Sequence, residues 1–494
     1  MSFLSQKASD PYVMFDSGNF IDALPEFEIM FADNPKNDKI IHHLAVCYLN
    51  TNGDKSRAIP LLEELTNNRS TDPINWYLLG RAYHFGYQFV KANECFYSYL
   101  SEKTGDKVLT QSTKEFIEYC IHGNELMKYP IDVTFENLGK NINSEFDDYF
   151  PFIPSNESYV MYNSKRNYRS EINANGEYLS NVYYSNVNLG KFQKAKLITE
   201  NVNSIDASEE IVGMNEDGSK IVIYKDDQFS DGDLIMGTYV DKSVVDYNKM
   251  GKTINSKFSE IAGCLHGNQF YFASNRPGGY GGIDIYRCQE LPNGKWSEAY
   301  NLGPEINTSS DEDFPSLSVD GKILFFSSKG HYSMGGYDIF KAIWDPVRLK
   351  FVNVKNLGYP INTPEDNMNI RISSNGQYGY VSAIREEGFG GLDIYRVKFN
   401  SLEPRYSVVM GKITTTETTD EMINISITDL SNYEIYGEYT PNEISYRYIM
   451  ILPPGSYLLS VDCVGFQSIS EKIEILDKSS FRSEIIKDLQ LKLQ

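Results

Sequence analysis

Two hydrophobic periods divide the chain. Up to residue 128 apolar residues recur at helical spacing; from about 131 onward they alternate in short runs bounded by Gly, Asn, Asp and Pro, the pattern of strands and turns. One strand-loop-strand unit repeats. Phe272 to Asp284, Phe326 to Asp338 and Val381 to Asp393 each span twelve residues, with an apolar residue (Tyr280, Met334, Phe389), a glycine pair and an Asp-Ile-aromatic triplet. The pairs are Gly281-Gly282, Gly335-Gly336 and Gly390-Gly391. They are expected to supply positive φ, with Asp284, Asp338 and Asp393 accepting loop amide protons in a structural blade motif.

A second marker lies between these hairpins. Asn137-Leu138-Gly139, Asn301-Leu302-Gly303 and Asn356-Leu357-Gly358 lead to Asn143, Asn307 and Asn362, with weaker copies at Asn203 and Asn255. The steps between these asparagines are 60, 52, 52 and 55 residues, the period of a four-stranded propeller blade. In the fourth unit Phe314–Val319, Ile323–Ser328, Asp338–Trp344 and Phe351–Lys355 are the expected strands. The fifth unit has no fourth strand of its own, and Ile131–Glu136 is an orphan ahead of the first marker. The pairing that closes a ring is this orphan beside Asp393–Val397, giving a five-bladed β-propeller.

The division expected is helical repeats over 1–128, propeller over 129–403 and β-sandwich over 404–494. In the helical part, Trp76, Leu79, Gly80, Tyr83, Phe89, Ala92 and Phe96 keep tetratricopeptide spacing, with fainter copies around Ala23-Phe27 and Ala45-Tyr48. Three such repeats make a minimal solenoid, with Lys114–Met127 as its capping helix. Its concave face should carry Tyr12, Phe15, His42, Tyr77, Arg81 and His84, either as a protein-binding groove or as the surface that docks on the next domain. In the last part Val409–Ile413, Ile423–Thr428 and Ile449–Leu458, with a Pro-Pro-Gly turn, read as short strands of a sandwich.

Composition narrows the function. A net charge of −21 opposes nucleic-acid or anionic-membrane binding. No apolar run reaches the ~18 residues of a membrane span, so direct membrane insertion is not expected. The six cysteines show no metal-ligand spacing and read as buried thiols. No GxSxG elbow, zinc-ligand set or phosphate loop appears, so no catalytic residue, cofactor or metal is assigned. The acidic runs Asp147-Asp148, Glu209-Glu210, Asp311-Glu312-Asp313 and Glu365-Asp366 sit at matched repeat positions. That recurrence favours tying blades together over glycosidase chemistry or calcium binding.

The hairpin and NLG…INT motifs resemble the WD40-like, TolB-related propeller repeats of Bacteroidetes envelope proteins. The Gly411 strand, Leu452-Pro453-Pro454-Gly455-Ser456-Tyr457 and Gly465-Phe466 resemble a carboxypeptidase regulatory-like domain. In this order the parts are similar to the OmpA-family protein of the type IX secretion and gliding machinery. The resemblance implies a periplasmic, outer-membrane-associated scaffold whose partners are other envelope proteins. In that family a peptidoglycan-binding OmpA-like domain normally follows; here the sequence ends at Gln494, so peptidoglycan binding transfers to no residue present. The alternatives are a propeller hydrolase acting on glycans or peptides, and a small-ligand sensor using the propeller channel.

Overall fold

The computed structural model describes residues 10–494 apart from 68–71, 168–171, 174, 200, 206, 228–229, 401–405, 418, 420 and 476–483. The expected boundary near 403–404 and the first residues of the sequence lie outside the described residues.

Among the described residues the α-helices are α1 (Pro11–Asp16), α2 (Phe20–Asp33), α3 (Asp38–Leu49), α4 (Ala58–Asn67), α5 (Ile74–Phe85), α6 (Phe89–Ser101) and α7 (Lys107–Leu126). Side-chain caps mark their starts: Asn37 accepts from the Lys39 and Ile40 amides, and Asp106 from Leu109. Each helix packs on the next. A Cβ at Gly80 would collide with the Phe96 ring, and one at Gly123 would come within 2.6 Å of Phe89, so small residues mark the closest helix approaches.

Five antiparallel sheets follow among the described residues. The first holds Asp148–Phe152, Tyr159–Ser164 and Asn181–Asn188, edged by Lys191–Phe192 and Lys196–Leu197. The second holds Ser208–Met214, Lys220–Asp227, Ser230–Val240 and Ser243–Lys249; the third, Glu260–His266, Gln269–Ser274, Asp284–Gln289 and Tyr300–Asn301. The fourth holds Glu312–Leu317, Ile323–Ser328, Asp338–Asp345 and Lys350–Asn356. Its first strand starts two residues before the expected Phe314, because Glu312 already pairs with Ser328 ahead of a bulge. The fifth takes Arg371–Ile372, Tyr378–Ala383 and Asp393–Phe399 from its own unit, and its outer strand, Val133–Asn137, pairs antiparallel with Asp393–Phe399. The fold is propeller-like.

The marker asparagines explain the repeat. Asn203, Asn255, Asn307 and Asn362 each bond both the N–H and the C=O of one third-strand residue in the preceding sheet, namely Val182, Leu234, Ile285 and Ile339. Asn143 does the same to Ile394 of the fifth sheet, so the series closes on itself. Asn137, Asn301 and Asn356 accept from the Asn143, Asn307 and Asn362 amides and donate to Asp393, Asp284 and Asp338. The two sequence markers are therefore one buried network.

The glycine pairs act differently from expectation. Gly278 has φ +92°, but none of Gly281, Gly282, Gly335, Gly336, Gly390 and Gly391 has positive φ. They are small because the next unit crosses them. A Cβ at Gly335 would lie 2.6 Å from the Thr363 carbonyl oxygen, one at Gly390 2.7 Å from the Glu145 carbonyl carbon, and one at Gly281 would strike the Ser310 oxygen. Close backbone approach, not a left-handed turn, demands glycine there.

The C-terminal part packs two sheets over one core. Arg447–Leu452 and Ser407–Thr415 pair antiparallel, with Glu484–Ile486 and Leu489–Leu491 parallel to the latter. The facing sheet runs Glu434–Tyr439, Asn424–Asp429, Gly455–Asp462 and Ile469–Ile475. Val409, Met450, Ile427 and Leu459 meet between them. A larger cluster joins all three parts: Phe96 and Ile117 from the helices, Phe326 and Met334 from the fourth sheet, Val408 and Ile451 from the last part. Interfaces of this apolar kind hold modules in one arrangement. All six cysteines are buried and unpaired.

Candidate protein-interaction site

The recurrent acids are satisfied within the fold. Asp311 and Asp366 accept the Ile283 and Tyr337 amides at 3.0 and 2.8 Å, and Asp147 accepts Leu392 N–H at 2.9 Å. Each thereby fixes the glycine-pair loop of the preceding sheet. The next acid along accepts from a Ser or Thr upstream and faces a cation: Asp148 with Arg166 at 2.8 Å, Glu209 with Lys225 at 2.8 Å, Glu260 with Arg276 at 3.0 Å. The two arginines also donate to the Ile142 and Ile254 carbonyls and lie over aromatic pairs.

The fourth sheet breaks this pattern. Gly330 stands where Arg166 and Arg276 stand, because Thr308 leaves no room for a Cβ. His331 takes over the carbonyl bond, its Nε2 3.0 Å from Ile306 oxygen, and the aromatic seat between Phe326 and Phe340. Burial lowers its pKa to about 4, so it is neutral and donates from Nε2. Glu312 therefore has no cation among the described residues, and burial pushes its pKa up to about 7. In the fifth unit the acid is replaced by an amide: Asn367 accepts Thr363 N–H at 2.6 Å.

The helices sit over this altered loop. His84 on α5 lies 2.8 Å from the Met334 carbonyl oxygen, His122 on α7 2.9 Å from that of Ser333, and Tyr119 donates to Lys329 oxygen. His84 is fully buried, with a pKa lowered by burial to about 4, so the neutral ring donates from Nε2. Farther along, Lys55 pairs with Glu365 at 2.6 Å and Asn52 donates to Asp147.

This placement corrects the solenoid-groove expectation. Tyr77 and His84 are buried, and Arg81 lies within reach of the Tyr77, Phe85 and Phe116 rings, its charge lowered in pKa by burial. Tyr12 and Phe15 pack on Phe27, and His42 bonds Asn75. Of these, His84 meets the fourth sheet's loop, while Tyr77 is buried within the helical part against Phe96, Tyr99 and Phe116, with its hydroxyl at Ser112; the face is occupied by protein at these positions rather than forming an open groove. Asp284, Asp338 and Asp393 accept the amides of Tyr280, Met334 and Phe389 at 2.7, 3.0 and 2.7 Å.

What stays open is a cleft of about 870 Å³ where α7, the fourth sheet and the sandwich meet. Lys114, Lys412 and Arg447 line it and make no ion pair among the described residues, while Glu118 accepts from Ser445 and Asp488 accepts the Lys412 amide. Sequence reasoning missed this site. Its residues come from three modules, at 111–122, 308–333 and 410–488, and no local pattern links them.

No protein-family model matches the chain, and no curated protein matches it. Among solved structures it is similar to TolB from Acinetobacter baumannii at 15% identity, covering 60% of this chain and 71% of that one with a TM-score of 0.33. The RRP9 WD40 repeats align at 9% identity over 55% of this chain and 100% of theirs, TM-score 0.30. A glycosyl hydrolase from Bacteroides ovatus aligns at 11% over 51% of this chain and 84% of its own, TM-score 0.31. Among the described residues no group of acidic, His or Cys side chains could hold a metal, and no helix is long and apolar enough to cross a membrane.

Proposed function

We propose that this chain is a non-enzymatic scaffold of the bacterial envelope: a five-bladed propeller closed by Val133–Asn137, carrying a docked tetratricopeptide-like solenoid and a regulatory-like sandwich. The observation that carries this reading is the continuous apolar cluster through all three modules, which fixes their relative placement and leaves the junction cleft as a shaped surface. The recurrent carboxylates support it too, since loop amides, hydroxyls and cations engage them as parts of the fold. The sequence motifs add the setting: the periplasm, association with the outer membrane through protein partners, and the type IX secretion or gliding apparatus. The net charge of −21 steers basic partner surfaces overall, an attraction that weakens as salt rises, while Lys114, Lys412 and Arg447 give the cleft itself a local preference for carboxylates.

The test is capture of envelope proteins by the immobilised chain, compared with a Lys412→Glu/Arg447→Glu variant, beside a screen for glycan and peptide hydrolysis. The scaffold reading expects specific partners that the double variant loses, and no turnover. Saturable hydrolysis with no partner retrieved would replace it with the propeller-hydrolase reading.

A further inference from the structure

The first strands of the five sheets converge. Phe150 of the first sheet and Phe314 of the fourth, which are not neighbours in the series, meet with ring centroids 4.3 Å apart. Their crossing places the axis of the fold between these strands. Arg371, in the first strand of the fifth sheet, reaches the same centre and is 8% exposed. Its guanidinium lies 4.2 Å from the ring centre of Phe152 in the first sheet, donates from Nη1 to Ser316 Oγ of the fourth at 2.8 Å, and faces the Cys264 thiol of the third.

No carboxylate meets it among the described residues. Asp313, a buried acid on the first strand of the fourth sheet, accepts the Phe314 amide and feels Asp311 and Lys329 rather than Arg371. Arg371 Nε is buried with no hydrogen-bond partner. Two residues earlier, Asn369 is buried too; its amide nitrogen donates to Pro151 oxygen, and its Oδ1 has no donor. By contrast, Arg166 and Arg276 each face a buried carboxylate.

A guanidinium cannot shed its proton, and taking it out of water without a counter-charge is strongly unfavourable. A hydroxyl, a thiol and a ring face leave that charge uncompensated. The missing partner is negative and small, because it must sit among inner-strand side chains. An unmet acceptor close by in sequence calls in addition for a donor, such as a hydroxyl or water carried with the anion.

We propose that the centre of the propeller-like domain holds a small anion, a halide or a single carboxylate or phosphate group, on Arg371 Nε, with Ser316 orienting the guanidinium. This site goes beyond the scaffold reading and holds whether or not that reading does. A bound anion stabilises the native state in proportion to its occupancy.

Thermal unfolding in a HEPES buffer free of other anions, with sodium chloride, sodium acetate or sodium phosphate added in separate arms, measures the effect. For the wild type, at least one arm is expected to raise Tm saturably by several degrees, and the responding arm names the class. Arg371→Gln is expected to lose that saturable rise while keeping the shallow salt response common to all arms. Identical responses of the two proteins in every arm would overturn the site. If Arg371→Gln does not fold, crystals of the wild type grown separately in bromide, acetate and phosphate decide: an anion within hydrogen-bond reach of Arg371 Nε in any of them supports it, and water or a protein atom there in all three overturns it.

Discussion

Glu312 offers a sharp test of how the fourth sheet differs from its neighbours. It is fully buried, and its oxygens accept from the Thr308 amide, the Thr308 hydroxyl and the Ser328 hydroxyl, each at 2.7 Å. Where Arg166 and Arg276 offset their acids, Gly330 offers nothing. The carboxyl titrates near 4.5 when unperturbed and near 7 in the fold, chiefly through burial. The native state therefore holds this proton more tightly than the unfolded chain. The contribution to stability is complete below the unfolded value and is lost as pH rises through about 7. A gap of that size corresponds to a few kcal/mol at most, at ~1.4 kcal/mol per pKa unit.

Glu312→Gln should remove the penalty while keeping the hydrogen bonds, since Asn367 already serves as the amide at the matching position and both accepts from and donates to Thr363. The variant is expected to match wild type near pH 5 and to exceed it by about 1–3 kcal/mol near pH 8. With ~2 °C per kcal/mol for a domain of this size, that is a gain of several degrees in Tm. Calorimetry of both proteins across that pH range provides the comparison. Equal stability differences at both ends of the range would mean that the buried carboxyl carries no uncompensated charge, and the reasoning fails.

Asn143→Ala tests closure. It leaves the buried Ile394 N–H without its acceptor, a loss of about 1–3 kcal/mol, and amide exchange should speed up in Val133–Asn137 and Asp393–Phe399 while the third sheet is unaffected. Unchanged exchange there would show that the clamp does not hold the ends together. Gly281→Ala, which drives a methyl into Ser310 oxygen, should destabilise by about 3 kcal/mol or more and reduce soluble yield; a fully stable variant would refute the close-approach account. His84→Ala strips the donor from Met334 oxygen and opens a cavity, so limited proteolysis should release the helical part faster, by about tenfold for ~1.4 kcal/mol lost; no change would mean that the docking does not depend on this bond.

Much of this protein could be read without coordinates. Strand alternation and turn residues are local, so the units of about 52–60 residues, the orphan strand before Asn143 and the amide-accepting Asp284, Asp338 and Asp393 were legible in order along the chain. The helical spacing around Gly80 likewise encoded its own close approach to Phe96. The tertiary structure decided everything that depends on what lies across a gap. The glycine pairs are legible as glycines, but whether they turn the chain or admit a crossing backbone depends on Ser310, Thr363 and Glu145. A helix face carrying Tyr77, Arg81 and His84 looks the same in sequence whether it meets water or Met334. Arg371 is one more arginine until Phe152, Cys264 and Ser316 close around it, and burial then makes its charge matter. Sequence period fixes which side of an element is apolar; the energy of a charge or a glycine is set by neighbours that are distant along the chain.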